Sequence, residues 1–266
     1  MKLTVLCDNT TRIDAYYVGE PGVSYYLEDG DARILFDAGY SDVYLRNAEK
    51  LGIDLGDITA VALSHGHNDH TGGLVHFPAT QRVPLYAHPA VFEPKRFEGE
   101  DIGSPIAIEE AAERFELHLS ATPVQLTEHL TFLGEIPRES SYESRYAIGE
   151  RRTEEGWQPD HLPDDTALVW QGKDGLWIIT GCSHSGITNI TEYAKKVCGD
   201  ERICGIIGGF HLLKMSRQTE QTVAWLKQLQ PKHLRPCHCT CFHARAAIHY
   251  AAPVQETCVG DVLEIE

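Results

Sequence analysis

Residues 58–73 read ITAVALSHGHNDHTGG: an apolar run ends at Leu63, and His65, His67, Asp69 and His70 follow within six positions. No other stretch constrains the fold as strongly, because a strand that delivers three imidazoles and a carboxylate into one turn needs other segments to meet them. Gly66 frees the backbone to turn where a side chain would obstruct. His65 and His67 are two apart, so in extended backbone both rings face one side and can hold one metal. Asp69 and His70 follow at the mouth of the next helix, displaced enough to face a second metal. A water shared by two cations is acidified, from roughly 15.7 in bulk to about 7 on a single zinc, and becomes a hydroxide nucleophile at neutral pH. Asp69 can orient it. A lone histidine would read as a surface residue without a task; three in six residues, with an aspartate and glycines at fixed offsets, read as a metal loop.

The remaining pattern is layered. Residues 3–6, 23–27, 32–36, 58–63 and 83–86 read as short strands, and DVYLRNAEKLG as a helix ended by Gly52. TALVW, GLWIIT, ICGIIGG and HLRPC repeat the pattern, with helices at about 187–198, 217–229 and 243–250. Two strand-rich halves with helices outside predict an α/β sandwich. Residues 89–160 hold 16 acids against 7 bases, more than half of the formal net charge of −16. The stretch at about 92–160 is therefore expected to be an inserted acidic α+β segment within a single domain spanning 1–266. SPIAIEEAAERFEL is its amphipathic helix and EIPRESSYESRYAIGERRTEEG is irregular. It either covers one end of the sandwich or makes a solvated excursion.

Composition excludes several roles. So acidic a chain is not expected to bind nucleic acid, and an anionic substrate would need local cations. The N-terminus lacks the apolar run of a signal peptide, and nowhere do eighteen apolar residues run together, so a cytosolic protein with no membrane role is expected. Eight cysteines in that setting read as thiols, which points to metal or redox chemistry before disulfides. Cys7, Cys198, Cys204 and Cys258 lie apart and read as small buried apolar residues.

His-x-His-x-Asp-His after an apolar strand, with ILFDAG upstream, resembles the metallo-β-lactamase fold superfamily. NAEKLGIDLGDITAVALSHGHNDHTGGL, GCSHSGITNI, GGFHLL and HCT, in that order, resemble more narrowly its dihydropterin ribofuranosylaminobenzene phosphate synthase-like subgroup. The resemblance implies a four-layer αββα sandwich in which Asp37 supports the metal loop from behind the ligands. It implies His184 as the third ligand beside His65 and His67, and His238 as the histidine that completes the second position with Asp69 and His70. His161 of HLPDDTALV is a rival third ligand. Superfamily members commonly carry an aspartate where Cys182 stands; a thiolate there would favour zinc or iron over magnesium or manganese, and an inert buried thiol is the alternative.

Cys237, Cys239 and Cys241 alternate with His238, with His243 beyond, so a separate metal knot is conceivable, although structural zinc sites space cysteines differently. Subgroup members typically show glycine where Cys241 stands. By resemblance His211 belongs at the site as proton donor or substrate contact, the alternative being a core histidine. Lys214 and Arg217 are the best placed cations for a substrate phosphate, though such residues are more often ordinary surface charges. His76, His88, His118, His129, His233 and His249 read as structural.

The expected protein is a metal-dependent hydrolase or pterin-type synthase holding two divalent transition metal ions, zinc before iron or manganese, with Asp69 or His211 moving the proton. Its partner would be a small anionic substrate, and a homo-oligomer is left open. A di-iron redox protein is disfavoured, because flavin-coupled relatives carry glutamate where His67 stands. A metal or ligand sensor remains a third reading.

Overall fold

Side-chain alternation along the strands sorts the apolar residues into three layers. In Ala32–Phe36, Ile34 and Phe36 face one layer and Leu35 the next; in Gly175–Thr180, Trp177 and Ile179 face one and Leu176 and Ile178 the other. The middle layer joins two sheets. The outer two join each sheet to helices: Val43–Leu51 and Ile108–Arg114 on one side, Ile187–Cys198, Arg217–Leu229 and Phe242–Ala251 on the other. This is the four-layer αββα arrangement. The structure is a computed structural model and describes residues 1–78, 82–143 and 146–266.

The first sheet runs, in spatial order, Val262–Glu264, Lys2–Cys7, Ser24–Asp29, Ala32–Phe36, Ala60–Ala62, Pro84–Ala87 and Glu116–Leu119. The second runs His233–Cys237, Ile203–Gly209, Gly175–Thr180, Ala167–Gly172, Leu130–Phe132 and Val124–Gln125. The elements read from the sequence sit within a residue or two of these bounds, and Gly52 closes its helix in the left-handed conformation as expected.

The expected insertion at about 92–160 needs correction. Glu116–Leu119 pairs in parallel with Pro84–Ala87 at the edge of the first sheet, and Val124–Gln125 and Leu130–Phe132 belong to the second. The helix stops at Arg114, because Phe115 turns extended to enter that edge strand. The stretch expected to be irregular holds the strand Glu150–Thr153 and the start of its hairpin partner Gly156–Pro159. With Lys95–Phe97 and Glu100–Asp101 it makes a third, four-stranded sheet. Residues 144 and 145 of that stretch lie outside the described residues. The charges misled because this ribbon is partly solvated on both faces, so no apolar alternation marks it.

Strand direction places the site. Ala32–Phe36 runs parallel to Ala60–Ala62, and Gly175–Thr180, Ile203–Gly209 and His233–Cys237 run parallel to one another. Their carboxyl ends release Asp37, His65, Cys182, His211 and His238, the end at which open α/β sheets collect ligand-binding loops. Among the described residues no helix is long and apolar enough to cross a membrane.

Candidate metal centre

The loop after Ala60–Ala62 is held tightly. Leu63 N–H donates to Tyr86 O, Ser64 O accepts from Thr166 N–H, and Ala38 N–H donates to His70 O. Gly66 is required here for space: a Cβ on it would lie 2.1 Å from Val91 O. His65, His67 and His70 are buried, and Asp69 is partly exposed at the mouth of the short helix Asn68–Thr71.

The ring nitrogens converge. His65 Nε2 lies 3.1 Å from His67 Nδ1 and 3.2 Å from His184 Nε2. His70 Nε2 lies 3.2 Å from Cys182 Sγ and 3.6 Å from Asp69 Oδ2, which is itself 3.3 Å from His238 Nε2. Among the described residues three groups have their ligand atoms all within 4.8 Å of one another: His65, His67 and Asp69; His65, Cys182 and His184; and Asp69, His70, Cys182 and His238. The groups overlap, for His65, Asp69 and Cys182 each belong to two of them.

The outward nitrogens explain why the inward ones are available. His70 Nδ1 lies 2.7 Å from Asp37 Oδ2 and His238 Nδ1 2.9 Å from Asn9 Oδ1. Asp37 Oδ2 also accepts the Ser64 hydroxyl (2.6 Å), whose oxygen lies 3.0 Å from His65 Nδ1. Each of these three rings thus sets its Nδ1 against an oxygen behind it and turns Nε2 inward, the orientation that metal-binding histidines take. His67 Nε2 is buried with no hydrogen-bond partner among the described residues, and His238 Nε2 faces the Asp69 carboxylate. Imidazoles crowded nitrogen to nitrogen, beside a carboxylate and a thiol, fit divalent transition metal ions.

The electrostatics divide the rings. Burial, reinforced by neighbouring imidazoles, drives His65 and His184 well below the ordinary histidine range, and burial pushes His67 and His211 down to about 4. Burial opposes charge on His70, yet Asp69 and Asp37 outweigh it and lift this ring to about 9. Burial raises Asp69, but His70 and His238 hold its carboxyl well below the usual range. The Cys182 thiol is raised by burial and by its neighbour Cys239.

Left-handed backbone also gathers here: Asp37, Ser183, His211 and His238 have φ of 58°, 57°, 47° and 48°. Such a conformation costs a non-glycine residue about 1–2 kcal/mol, so the surrounding packing fixes these side chains against local preference.

The other expected residues divide. His211 stands at the site, its ring 4.3 Å from that of His184. It lies where a 390 Å³ cavity over the ligands meets an 800 Å³ cleft that Lys214 and Arg217 help to line. His161, the rival ligand, is exposed and belongs to none of the three groups. The cysteine knot does not assemble: Cys237 meets the Tyr25 hydroxyl, Cys239 packs beneath His211 N–H and Cys182 O, and Cys241 caps the helix Phe242–Ala251.

Sequence reasoning passed over Asn9 and Asp8, which orient the ring and backbone of His238, and the pair Asp164 and Asp165. Asp164 accepts Gly66 N–H at 2.8 Å; Asp165 accepts His184 N–H at 2.9 Å and Ser185 N–H at 2.8 Å. The available signal was two consecutive acids immediately before an apolar strand, in the segment quoted for His161.

Fold and site define a metal-binding α/β sandwich, and sequence comparison agrees: the profile of the metallo-beta-lactamase superfamily matches residues 17–235. The chain belongs to that superfamily. It is 31% identical over 263 residues to the 7,8-dihydropterin-6-methyl-4-(beta-D-ribofuranosyl)-aminobenzene-5'-phosphate synthase of Methanocaldococcus jannaschii, covering 92% of this chain and 89% of the relative. Tm1679, described as a metal-dependent hydrolase of the beta-lactamase superfamily, superposes with a TM-score of 0.87 at 30% identity, over 100% of this chain and 99% of that one. Zinc-bound PqqB from Methylobacterium extorquens shares the fold alone, at a TM-score of 0.60 and 12% identity with complete coverage of both chains. A superfamily of metal-dependent hydrolases and a relative named as a synthase support an enzyme here too.

Proposed function

We propose that this chain is a metal-dependent enzyme acting on a small anionic substrate. It either cleaves an ester-like bond or carries out a synthase step of the kind named for the Methanocaldococcus relative. Two divalent cations, zinc ahead of iron or manganese, would be held by His65, His67 and His184 in one position and by Asp69, His70, His238 and Cys182 in the other. The observation that carries the reading is the convergence of inward-turned nitrogens on rings whose Nδ1 atoms are set against oxygens. When bound, such cations supply Lewis acidity and lower the pKa of water.

The chain's own residues do the rest. Asp69 stays ionised and can orient the attacking group through a carboxylate oxygen. His211, neutral near pH 7, offers the cavity one ring N–H and one lone pair, enough to hold a substrate oxygen or pass a proton. Lys214 and Arg217 would take the substrate's anionic group, while Phe97, Tyr142 and Ile148 shelter its non-reacting part from water. All eight cysteines are free thiols, which suits the cytosol proposed as the protein's setting.

The test is a panel of phosphomonoesters, phosphodiesters, lactones and thioesters offered to zinc-loaded protein, with His65→Ala and His70→Ala alongside. Turnover of at least one class, lost in both variants while the far-ultraviolet spectrum is unchanged, supports an enzyme. A fully loaded protein that turns over nothing, but whose thermal transition shifts with metal, would instead make it a sensor.

A further inference from the structure

Beside the ligand set lies a second buried charged group. Lys95, Asp160 and Asp164 have side chains fully shielded from solvent, with Lys95 Nζ 2.9 Å from Asp160 Oδ2 and 3.0 Å from Asp164 Oδ1. A buried ion cluster is weak ground for stability, because desolvation offsets most of the Coulombic gain. Its position indicates another purpose. The free oxygen of Asp164 accepts Gly66 N–H, the amide between His65 and His67. Lys95 packs on the same peptide, its Cε 3.0 Å from where a Gly66 Cβ would stand.

The hairpin that begins at Lys95 grips the loop again further on: Asn68 N–H donates to Ile102 O, and His67 bridges Gly103. Asp165 turns the other way and takes the peptide amides of His184 and Ser185. Two consecutive carboxylates therefore hold both backbones that carry the three converging imidazoles.

We propose that Asp164, locked by Lys95, and Asp165 are positioning residues that set the metal affinity of the His65, His67 and His184 position, so that the third sheet is a clamp on the metal loop. The inference rests on the metal-centre reading above. A site whose donors must converge to within about half an ångström depends on the groups behind them. The amide hydrogen bonds fix that spacing before any ion arrives. No water is needed to satisfy these amides, since each already has a carboxylate oxygen.

Asp160 supplies the control, because it matches Asp164 bond for bond. Each carboxylate accepts Lys95 and one backbone amide, but the amide on Asp160 is that of Leu162, outside the metal loop. Asp164→Asn and Asp160→Asn in the full chain each remove one charge from the same buried cluster, so a merely structural role moves them alike. Zinc affinity, read by competition with a chromophoric chelator, is expected to fall about 10- to 100-fold in Asp164→Asn, the usual cost of losing a partner behind a ligand. Asp160→Asn is expected to bind zinc as the parent does, with a similar loss of metal-free thermal stability.

Equal affinity losses in the two variants, or none in Asp164→Asn, would overturn the proposal. Should Asp164→Asn not fold, Asp165→Asn carries the same test, since it leaves the Lys95 cluster intact and removes one of the two acceptors that hold the His184 and Ser185 peptides. Parent-like zinc affinity there would likewise count against it. A parent chain that takes up no zinc would refute the metal-centre reading itself, an outcome distinct from either.

Discussion

Asp37→Asn separates the two effects that this carboxylate exerts on His70. Asp37 is fully buried and accepts three bonds: Ser64 N–H at 2.7 Å, the Ser64 hydroxyl at 2.6 Å and His70 Nδ1–H at 2.7 Å. Asparagine keeps the shape and tolerates the left-handed backbone at φ 58°, but its amide nitrogen would face a donor. At least one of three charge-assisted bonds is lost, each about 1.5–3 kcal/mol. Orientation and ring basicity suffer together, and partners of this kind typically contribute about 10- to 100-fold to metal affinity.

An opposing effect works through the proton. In the metal-free chain His70 is lifted to about 9, with Asp69 and then Asp37 supplying the lift against burial. At pH 7 a metal must displace that proton, a penalty of roughly 100-fold for a two-unit gap. Removing Asp37 lowers the ring's pKa and relieves part of the penalty. The affinity deficit of Asp37→Asn relative to the parent should therefore be small near pH 7 and widen toward pH 9, where proton competition fades. The sign for folding follows from the same shift: the charged ring stabilises the metal-free fold fully below its unfolded value of 6.5, and that contribution is lost as pH rises through about 9. Zinc affinity by chelator competition at several pH values, with urea unfolding of the metal-free protein, reads both. A deficit that is constant with pH, or an affinity indistinguishable from the parent at pH 9, would refute the reasoning.

Three further expectations can be checked with the same protein. His211→Asn should keep its full metal content and lose about 100- to 10,000-fold in turnover, the usual range for a general acid or base; unchanged turnover would remove His211 from the chemistry. Lys214→Ala and Arg217→Ala should raise KM for an anionic substrate with little change in kcat, whereas a fall in kcat alone would contradict a binding role. Burial raises Glu143 to about 7 against the opposing amides of Thr188 and Asn189, so the folded chain binds more protons than the unfolded chain between 4.5 and 7. Metal-free stability should accordingly fall by on the order of 1–3 kcal/mol as pH climbs through that window, and Glu143→Gln should flatten the slope in urea titrations.

The parts of this protein that could be read from its sequence are those whose partners are local. His65, His67, Asp69 and His70 announce themselves because one turn holds them all, and the strands flanking Gly175–Thr180 show continuous apolar runs because helices and a second sheet cover both faces. Glu116–Leu119 was hidden because an edge strand that is half exposed carries a mixed pattern. Lys95 looks like a surface charge in sequence, and only the fold brings it to Asp160 and Asp164, 65 and 69 residues away. Asp164 reaches Gly66 across 98 residues, and a bond from a side chain to a backbone amide leaves no spacing to recognise. Cys182 shows the intermediate case: its place after Gly181 marked it for the site, while its Sγ, 3.2 Å from His70 Nε2, required the structure.

The central claim is that these converging donors hold paired cations. Anomalous diffraction at the zinc absorption edge, from crystals of protein purified without chelators and supplied with zinc, tests it most directly. Two peaks are predicted in each molecule, one enclosed by His65, His67 and His184 and the other by Asp69, His70, Cys182 and His238. Zinc found only on surface residues, with these imidazoles bonded to water, would contradict the account.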